Sequence, residues 1–439
     1  MIRIDVLPDD ALLGVFDFYV DTGSLSEEVE AWQSLVHVCR RWRRLVLGSP
    51  RRLNLQLCCT PRTPAKENLD IWPTLPLIVR GDMTRFSGTD NIVAALWQSN
   101  RVCKVDLWEF GGWQLREVLA AMQVPFPELT DLQLSSNGET MPAIPDSFLD
   151  GSATRLRRFA LHGIPFLGLP KLLPSATHLV HLDLFGIPHS GYISPEAIVV
   201  LVSVLSGLET LHIGFQSPQS CPEREIRRLF PSKRCVLPVL AFLRFTGFIE
   251  YLEVFVTGID APQLGRVQIF FFNQFDFDTP RLAQFINRTP KLGKRDATVQ
   301  FNDDTAVVGL LPGTLRITII CIEPDWQLSS IEQLCHPFSQ LLSTVENLYI
   351  EHHYLEVVWK NDSIENTLWL QLLVPFTAVI NLFSIKGNCA RYRGRSAGAR
   401  WGQDSRSVAQ PAEYFREGTR AIRTFPGNDW AVCCGATTL

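Results

Sequence analysis

A short motif of alternating apolar residues recurs along most of this 439-residue chain and limits what it can fold into. The fullest copy is Leu129-Thr130-Asp131-Leu132-Gln133-Leu134-Ser135-Ser136-Asn137, an L-x-x-L-x-L run that reads as one strand with its apolar side chains on a single face. Further copies are Val102/Val105/Leu107, Leu156/Phe159/Leu161, Leu179/Leu182/Leu184, Leu208/Leu211/Ile213, Leu240/Leu243/Phe245, Leu264/Val267/Ile269 and Val345/Leu348/Ile350, with a blurred one near Leu315. From Val102 to Leu264 they start 27, 27, 23, 29, 32 and 24 residues apart. A unit of that length cannot bury its own apolar face, so the copies must stack and share one core. Helix-capable segments lie between strands at Trp113 to Met122, Pro195 to Leu205 and Pro280 to Ile286, which makes the expected class α/β. Strands of an ordinary parallel sheet would read as near-continuous apolar runs, whereas these alternate with polar residues.

The Leu129 copy resembles the leucine-rich repeat in full, including Asn137, whose side chain in that family bonds to backbone in the following turn. The resemblance implies an irregular solenoid, a horseshoe with its strands on the concave side, over residues 101–386. The alternate positions of each strand then face a partner. The strongest candidates for holding a target are Trp108, Asp131, Gln133, Arg158, His162, His181, Asp183, Phe185, His212 and Arg244. Lys104, Asp106, Thr210, Phe242, Arg266, Gln268, Phe270, Asn347, Tyr349 and Glu351 occupy equivalent positions. Arginines and aromatics at such sites fit an interface.

The amino-terminal part follows another period. Pro8, Asp9 and Asp10 suit the first turn of a helix whose apolar face carries Leu12, Leu13, Phe16, Tyr19 and Val20. Ser24 and Glu27 have capping-box spacing and predict a second helix through about Leu47, with Trp32, Leu35, Val38, Cys39, Trp42, Leu45 and Val46 on one stripe. Two such helices cannot close a core alone, so a third element and a partner are expected. Residues 4–52, with Leu7-Pro8-Asp9-Asp10 followed by Val38-Cys39-Arg40-x-Trp42-x-x-Leu45, are similar to the F-box of fungal F-box proteins. That likeness implies docking onto the Skp-type adaptor of an SCF-type cullin-RING ubiquitin ligase. The residues it assigns to adaptor binding are Leu7, Pro8, Asp9, Leu12, Leu13, Phe16, Trp32, Leu35, Val38, Cys39, Arg40, Trp42 and Leu45. The solenoid would then hold the target, an unidentified protein.

Alternatives are a scaffold or receptor without ubiquitin transfer and, behind it, a nucleic-acid-binding protein. The latter would use the six arginines between Arg40 and Arg52 together with residues 387–439, where eight Arg and four acidic residues give a net +4. Four of those six arginines are simply the solvated side of a helix, and the whole chain is acidic at −4, which disfavours nucleic acid. The Gly-, Ala- and Arg-rich tail has too few apolar residues for a repeat face and is expected to be disordered. Residues 53–100 are expected to be a linker, proline-rich from Pro61 to Pro76, running into the first strands. Leu373 to Leu382 reads as the opening of one more repeat.

No phosphate-cradling, dinucleotide, acyl-transfer or zinc-protease signature occurs, so neither catalysis nor a cofactor is expected. His178 and His181 differ by an odd offset within a strand repeat and cannot share a metal; His352-His353 and Asp303-Asp304 read as turn residues. The eleven cysteines contain no C-x-x-C and form no even framework, Met1 to Asp10 lacks a signal sequence, and the apolar stretch Ala197 to Leu208 is too short to span a bilayer. An intracellular protein without a membrane segment is therefore expected.

Overall fold

The computed structural model describes residues 7–22, 31–84, 88–136, 138, 141–220, 234–274, 277–292, 295–322, 324–352, 364–386 and 420–422. The chain is mixed α/β and divides into two units, Met1–Ile193 and Ser194–Leu439.

The first unit opens with three helices, α1 (Asp9–Thr22), α2 (Ala31–Val36) and α3 (Arg40–Gly48). The expected single second helix is thus broken at His37–Cys39. The Cys39 sulfur accepts from the Trp42 N–H at 3.5 Å and caps α3, while Arg43 Nε donates to the freed Val36 carbonyl at 2.9 Å. Ser24 and Glu27 lie outside the described residues.

Six parallel strands follow in sequential order: β1 (Leu57–Cys59), β2 (Leu77–Asp82), β3 (Val102–Trp108), β4 (Asp131–Ser135), β5 (Arg158–His162) and β6 (His181–Ile187). The helices between them are α4 (Ala65–Asn68), α5 (Thr89–Leu96), α6 (Gly112–Ala121) and α7 (Leu169–Leu172). The copies of the motif pair in phase. Val79, Val105, Leu132, Phe159 and Leu182 form one cross-strand row, and Leu107, Leu134, Leu161 and Leu184 another, all buried. Period-2 alternation makes this phasing compulsory, since a slip of one residue would turn each apolar set to the opposite face. The expected proline-rich linker is packed, with Leu53, Leu55, Leu57, Ala65, Leu69 and Leu75 buried and β1 and α4 inside it.

The strand ends repeat the same turn. Ser136 N–H donates to the His162 carbonyl and Gly163 N–H to the Phe185 carbonyl, both at 2.9 Å, with Gly163 and Gly186 left-handed at φ +70° and +63°. Asn137 lies outside the described residues; its neighbour Ser136 donates through Oγ to the Phe110 carbonyl at 3.0 Å.

In the second unit α8 (Pro195–Val202) starts at Ser194, whose Oγ accepts from Ala197 N–H at 3.3 Å. The remaining elements in chain order are β7 (Thr210–Phe215), β8 (Cys235–Val236), β9 (Phe242–Gly247), α9 (Ile249–Gly258), β10 (Ile259–Asp260), β11 (Arg266–Phe271), α10 (Pro280–Asn287), β12 (Asp296–Phe301), β13 (Thr305–Leu310), β14 (Leu315–Ile320), α11 (Pro324–Cys335), α12 (Ser339–Leu342), β15 (Asn347–His352), α13 (Ile364–Leu373), β16 (Asn381–Lys386) and β17 (Arg420–Ile422). Within this unit the main sheet runs β7-β9-β11-β14-β13-β12-β15-β16-β17, and β8 pairs separately with β10. The motif again stacks in phase: Leu211, Leu243, Val267 and Leu315 share a row, as do Ala297, Leu348 and Leu382.

Strands β12 and β13 are absent from the sequence expectation. They enter as an antiparallel excursion, so the third strand, β14, lies beside β11 and the first, β12, beside β15. Asp303 and Asp304 do form the exposed turn between β12 and β13, whereas His352 closes β15 and is not a turn residue; His353 lies outside the described residues. The opening repeat at Leu373 to Leu382 continues into a full strand, β16. Of the tail, Arg420–Ile422 pairs antiparallel with β16, and its other residues lie outside the described set.

Glu253 on α9 links two helices of this unit. Its carboxylate accepts from the Leu282 and Arg281 backbone N–H groups at 2.7 and 3.0 Å, satisfying the first turn of α10. Burial lifts the Glu253 pKa, and the two backbone donors only partly offset it. A raised carboxyl pKa means that the unfolded chain ionises first, so stability falls as the pH rises through and just above the ordinary glutamate range. Glu253→Gln should abolish this pH-dependent loss, and Glu253→Ala should cost about 1 kcal/mol at neutral pH by removing the cap. Urea titrations at several pH values check both.

Candidate functional site

Two kinds of surface emerge. The first is on the helical module. Leu12, Leu13, Phe16, Trp32 and Leu35 are all buried, and the Phe16 and Trp42 rings meet at 4.7 Å. Trp32 Nε1 donates to the Gln56 carbonyl at 2.9 Å. These five side chains close the module's own core, so the docking role expected of them has to rest on others. Leu7, Trp42 and Leu45 are half-buried, while Pro8, Asp9, Val38, Cys39 and Arg40 are exposed.

Outside that core α1 presents an apolar strip that the sequence reading missed. Val15 is 55% exposed and Phe18 72%, and Tyr19, expected inside, is 44% exposed. Residues at i, i+3 and i+4 adjoin on a helix, so the three make one patch. Its signal was in the sequence: Val15 and Phe18 are apolar but off the stripe of Leu12, Leu13 and Phe16.

The arginine cluster is partly used internally. Arg41 reaches Asp9 Oδ1 at 2.7 Å and the Leu7 carbonyl at 2.6 Å, which fastens the start of α1 to α3. Arg52 approaches Asp10 at 3.4 Å. Arg40, Arg44 and Arg51 remain exposed.

The second surface is the alternate face of the strands. In the first unit three rows of side chains run across it: Lys104, Asp131, Arg158 and His181; then Arg80, Asp106, Gln133, Ala160 and Asp183; then Ser135, His162 and Phe185. Nine of the ten target-holding candidates are half-buried or exposed strand residues, and eight of them share this face. Basic and acidic side chains lie side by side there. Arg80 Nε lies 3.4 Å from Asp106, and His162 Nε2 lies 3.2 Å from Asp183. The Arg80 guanidinium also covers the Trp108 ring at 5.6 Å, and His162 meets Phe185 edge-on at 5.8 Å. Burial raises the Asp106 pKa against the opposing pull of neighbouring basic side chains, Arg80 and Arg158 foremost. Arg80, on a strand before the first recognised copy, was missed; the alternation of Leu77, Val79 and Gly81 marks its outward position.

In the second unit His212 is a correction. It is only 7% exposed, on a strand buried on both faces from Leu211 to Phe215 and with Arg244 as its cross-strand neighbour, so it is not offered to a partner. Arg244 is half-buried and lies over the Phe270 ring at 5.0 Å. Further along, Tyr349 stacks on Phe383 at 4.7 Å, and Gln300 donates to Glu351 at 2.9 Å. The seven cysteines among the described residues are free thiols. Burial raises the Cys59 pKa to about 12, which leaves it an unreactive packing residue. No helix among the described residues is long and apolar enough to cross a membrane.

Comparison with models of known families and with curated protein sequences returns no match.

Proposed function

We propose that this chain is the target-holding subunit of an SCF-type cullin-RING ubiquitin ligase. The helical module acts as an F-box that docks a Skp-type adaptor. The in-phase strand copies form an irregular leucine-rich solenoid that holds a target on its alternate face. The chain then works by proximity, since holding a target lysine near a charged conjugating enzyme raises its effective concentration without chemistry by this chain.

The observation that carries this reading is the module's division of labour: a core closed by Phe16, Trp32, Leu35 and Trp42, and outside it an exposed apolar strip of Val15, Phe18 and Tyr19, together with exposed Val38. Contiguous apolar side chains on a polar module fit a protein partner. Burying one Val or Phe is worth about 1.5 to 3 kcal/mol, so the strip supplies much of a docking energy.

Co-expression with a Skp-type adaptor and affinity purification tests it. The full chain should retain the adaptor. A Val15→Asp/Phe18→Asp variant should lose at least about tenfold of it with an unchanged melting temperature, because both positions lie outside the core. Absence of the adaptor from the full-chain eluate, or equal retention by the variant, defeats the reading.

A further inference from the structure

Three consecutive copies in the first unit expose a large apolar residue at the same place. Ile71, Trp97 and Val124 each stand seven residues before the paired positions Ile78, Lys104 and Asp131, in the turn that joins a helix to its strand. They are 79%, 69% and 46% exposed. The turns are stacked, since Arg101 of the second copy donates to the Pro73 and Leu75 carbonyls of the first at 2.8 and 3.1 Å. In the next two copies the position falls on Gly151 and Pro174, so the row of large side chains ends at Val124. It is also nearly neutral: Asp70-Ile71-Trp72, Leu96-Trp97-Gln98 and Gln123-Val124-Pro125 hold a single charged residue, Asp70.

Size, charge and hydrogen bonding together say what fits this row. Ile71, Trp97 and Val124 offer on the order of 400 Å² of apolar surface, about half of what each partner gives up in a stable interface of standard size. A second copy of this chain would need more. A segment that must fold as it binds would also spend too much of so small a contact on its own ordering, so the occupant has to be extended and stiff beforehand. Neighbouring copies lie about 5 Å apart at their strands and about 10 Å apart at their helices, which makes the row about 10 to 20 Å long. A polyproline II segment, rising about 3.1 Å per residue, covers that span with about three to six residues. The indole N–H groups of Trp97 and of the adjoining half-buried Trp72 donate to nothing among the described residues. Polyproline II leaves its carbonyls open to such donors, whereas a helix spends its carbonyls on itself.

We propose that the row of Ile71, Trp97 and Val124 binds an uncharged, proline-rich segment of a partner protein. The proline rings pack on Trp97 and its aliphatic neighbours, and the indole N–H groups take the segment's carbonyls. The row lies outside both the helical module and the alternate face of the strands, so the proposal goes beyond the proposed function and does not rest on it.

Fluorescence anisotropy with the purified full chain would compare a labelled peptide of about ten residues built on Pro-Pro-Leu repeats with its analogue in which alanine replaces every proline. Sedimentation velocity would give the oligomeric state. The proline peptide should bind, and the alanine analogue should bind at least about tenfold more weakly, because it must first be ordered. Trp97→Ala should weaken binding about tenfold, as should Ile71→Ser. Trp97→Phe, which keeps a ring and loses the donor, should fall between wild type and Trp97→Ala. Trp113→Ala removes a tryptophan that is 59% exposed on the first turn of α6, at the other end of that helix from Val124, and should leave affinity unchanged. Melting curves confirm folding of each variant. No binding of the proline peptide up to about 1 mM, equal affinity for the alanine analogue, or a dimer that Trp97→Ala abolishes overturns the proposal.

Discussion

Gly163→Ala is expected to destabilise the chain by about 3 kcal/mol or more, where Gly151→Ala costs only about 1 kcal/mol. Both glycines are left-handed, at φ +70° and +66°, so alanine meets the same backbone penalty at either site. They differ in surroundings. A Cβ on Gly163 would sit 2.2 Å from the Ser136 carbonyl oxygen, whereas at Gly151 nothing lies within 4 Å. The obstacle is backbone, tied by the Ser136 N–H to His162, so it cannot rotate away. Relieving the clash means parting β4 from β5 at their ends, which is where the surface carrying His162 and Asp183 is set. Urea unfolding of the two variants side by side separates the penalties; equal losses would show that the strand ends yield freely.

The second large effect is expected at Phe159. It is fully buried in the middle of the row Val79, Val105, Leu132, Phe159 and Leu182, and its ring lies edge-on to Phe166 at 6.3 Å. Phe159→Ala leaves a cavity between two neighbouring copies and should cost about 3 to 5 kcal/mol. The loss should appear first as faster amide exchange in β4, β5 and β6, because each copy shares its core with the adjacent ones. A loss below about 1 kcal/mol would mean that the row is not tightly packed.

What could be read from the sequence was whatever has a local period. Alternation placed strands at every clear copy of the motif, because a strand with one buried face has no freedom to slip. Pro195, at a position the first helical turn tolerates, marked the start of α8 for a similar local reason. The break between α2 and α3 stayed hidden, since Trp32, Leu35, Val38 and Trp42 keep a helical period across it and a cysteine is not among the usual caps. The hairpin of β12 and β13 did carry a signal, β-branched runs around Asn302-Asp303-Asp304, that a search for the L-x-x-L-x-L copies passed over. The resulting strand order is non-local, since it depends on which edge β11 accepts. The site followed the same division. Alternation identified which side chains face outward, but the burial of His212 and the stacking of Arg244 and Arg266 on phenylalanines depend on cross-strand neighbours that only the register supplies.

The most direct measurement of the central claim is hydrogen exchange across the full chain with and without a purified Skp-type adaptor. Peptides covering residues 9–22 and 31–48 should slow in exchange on binding, while those covering β9, β11 and β14 should not change. Protection over those strands with none over the helical module would contradict the account.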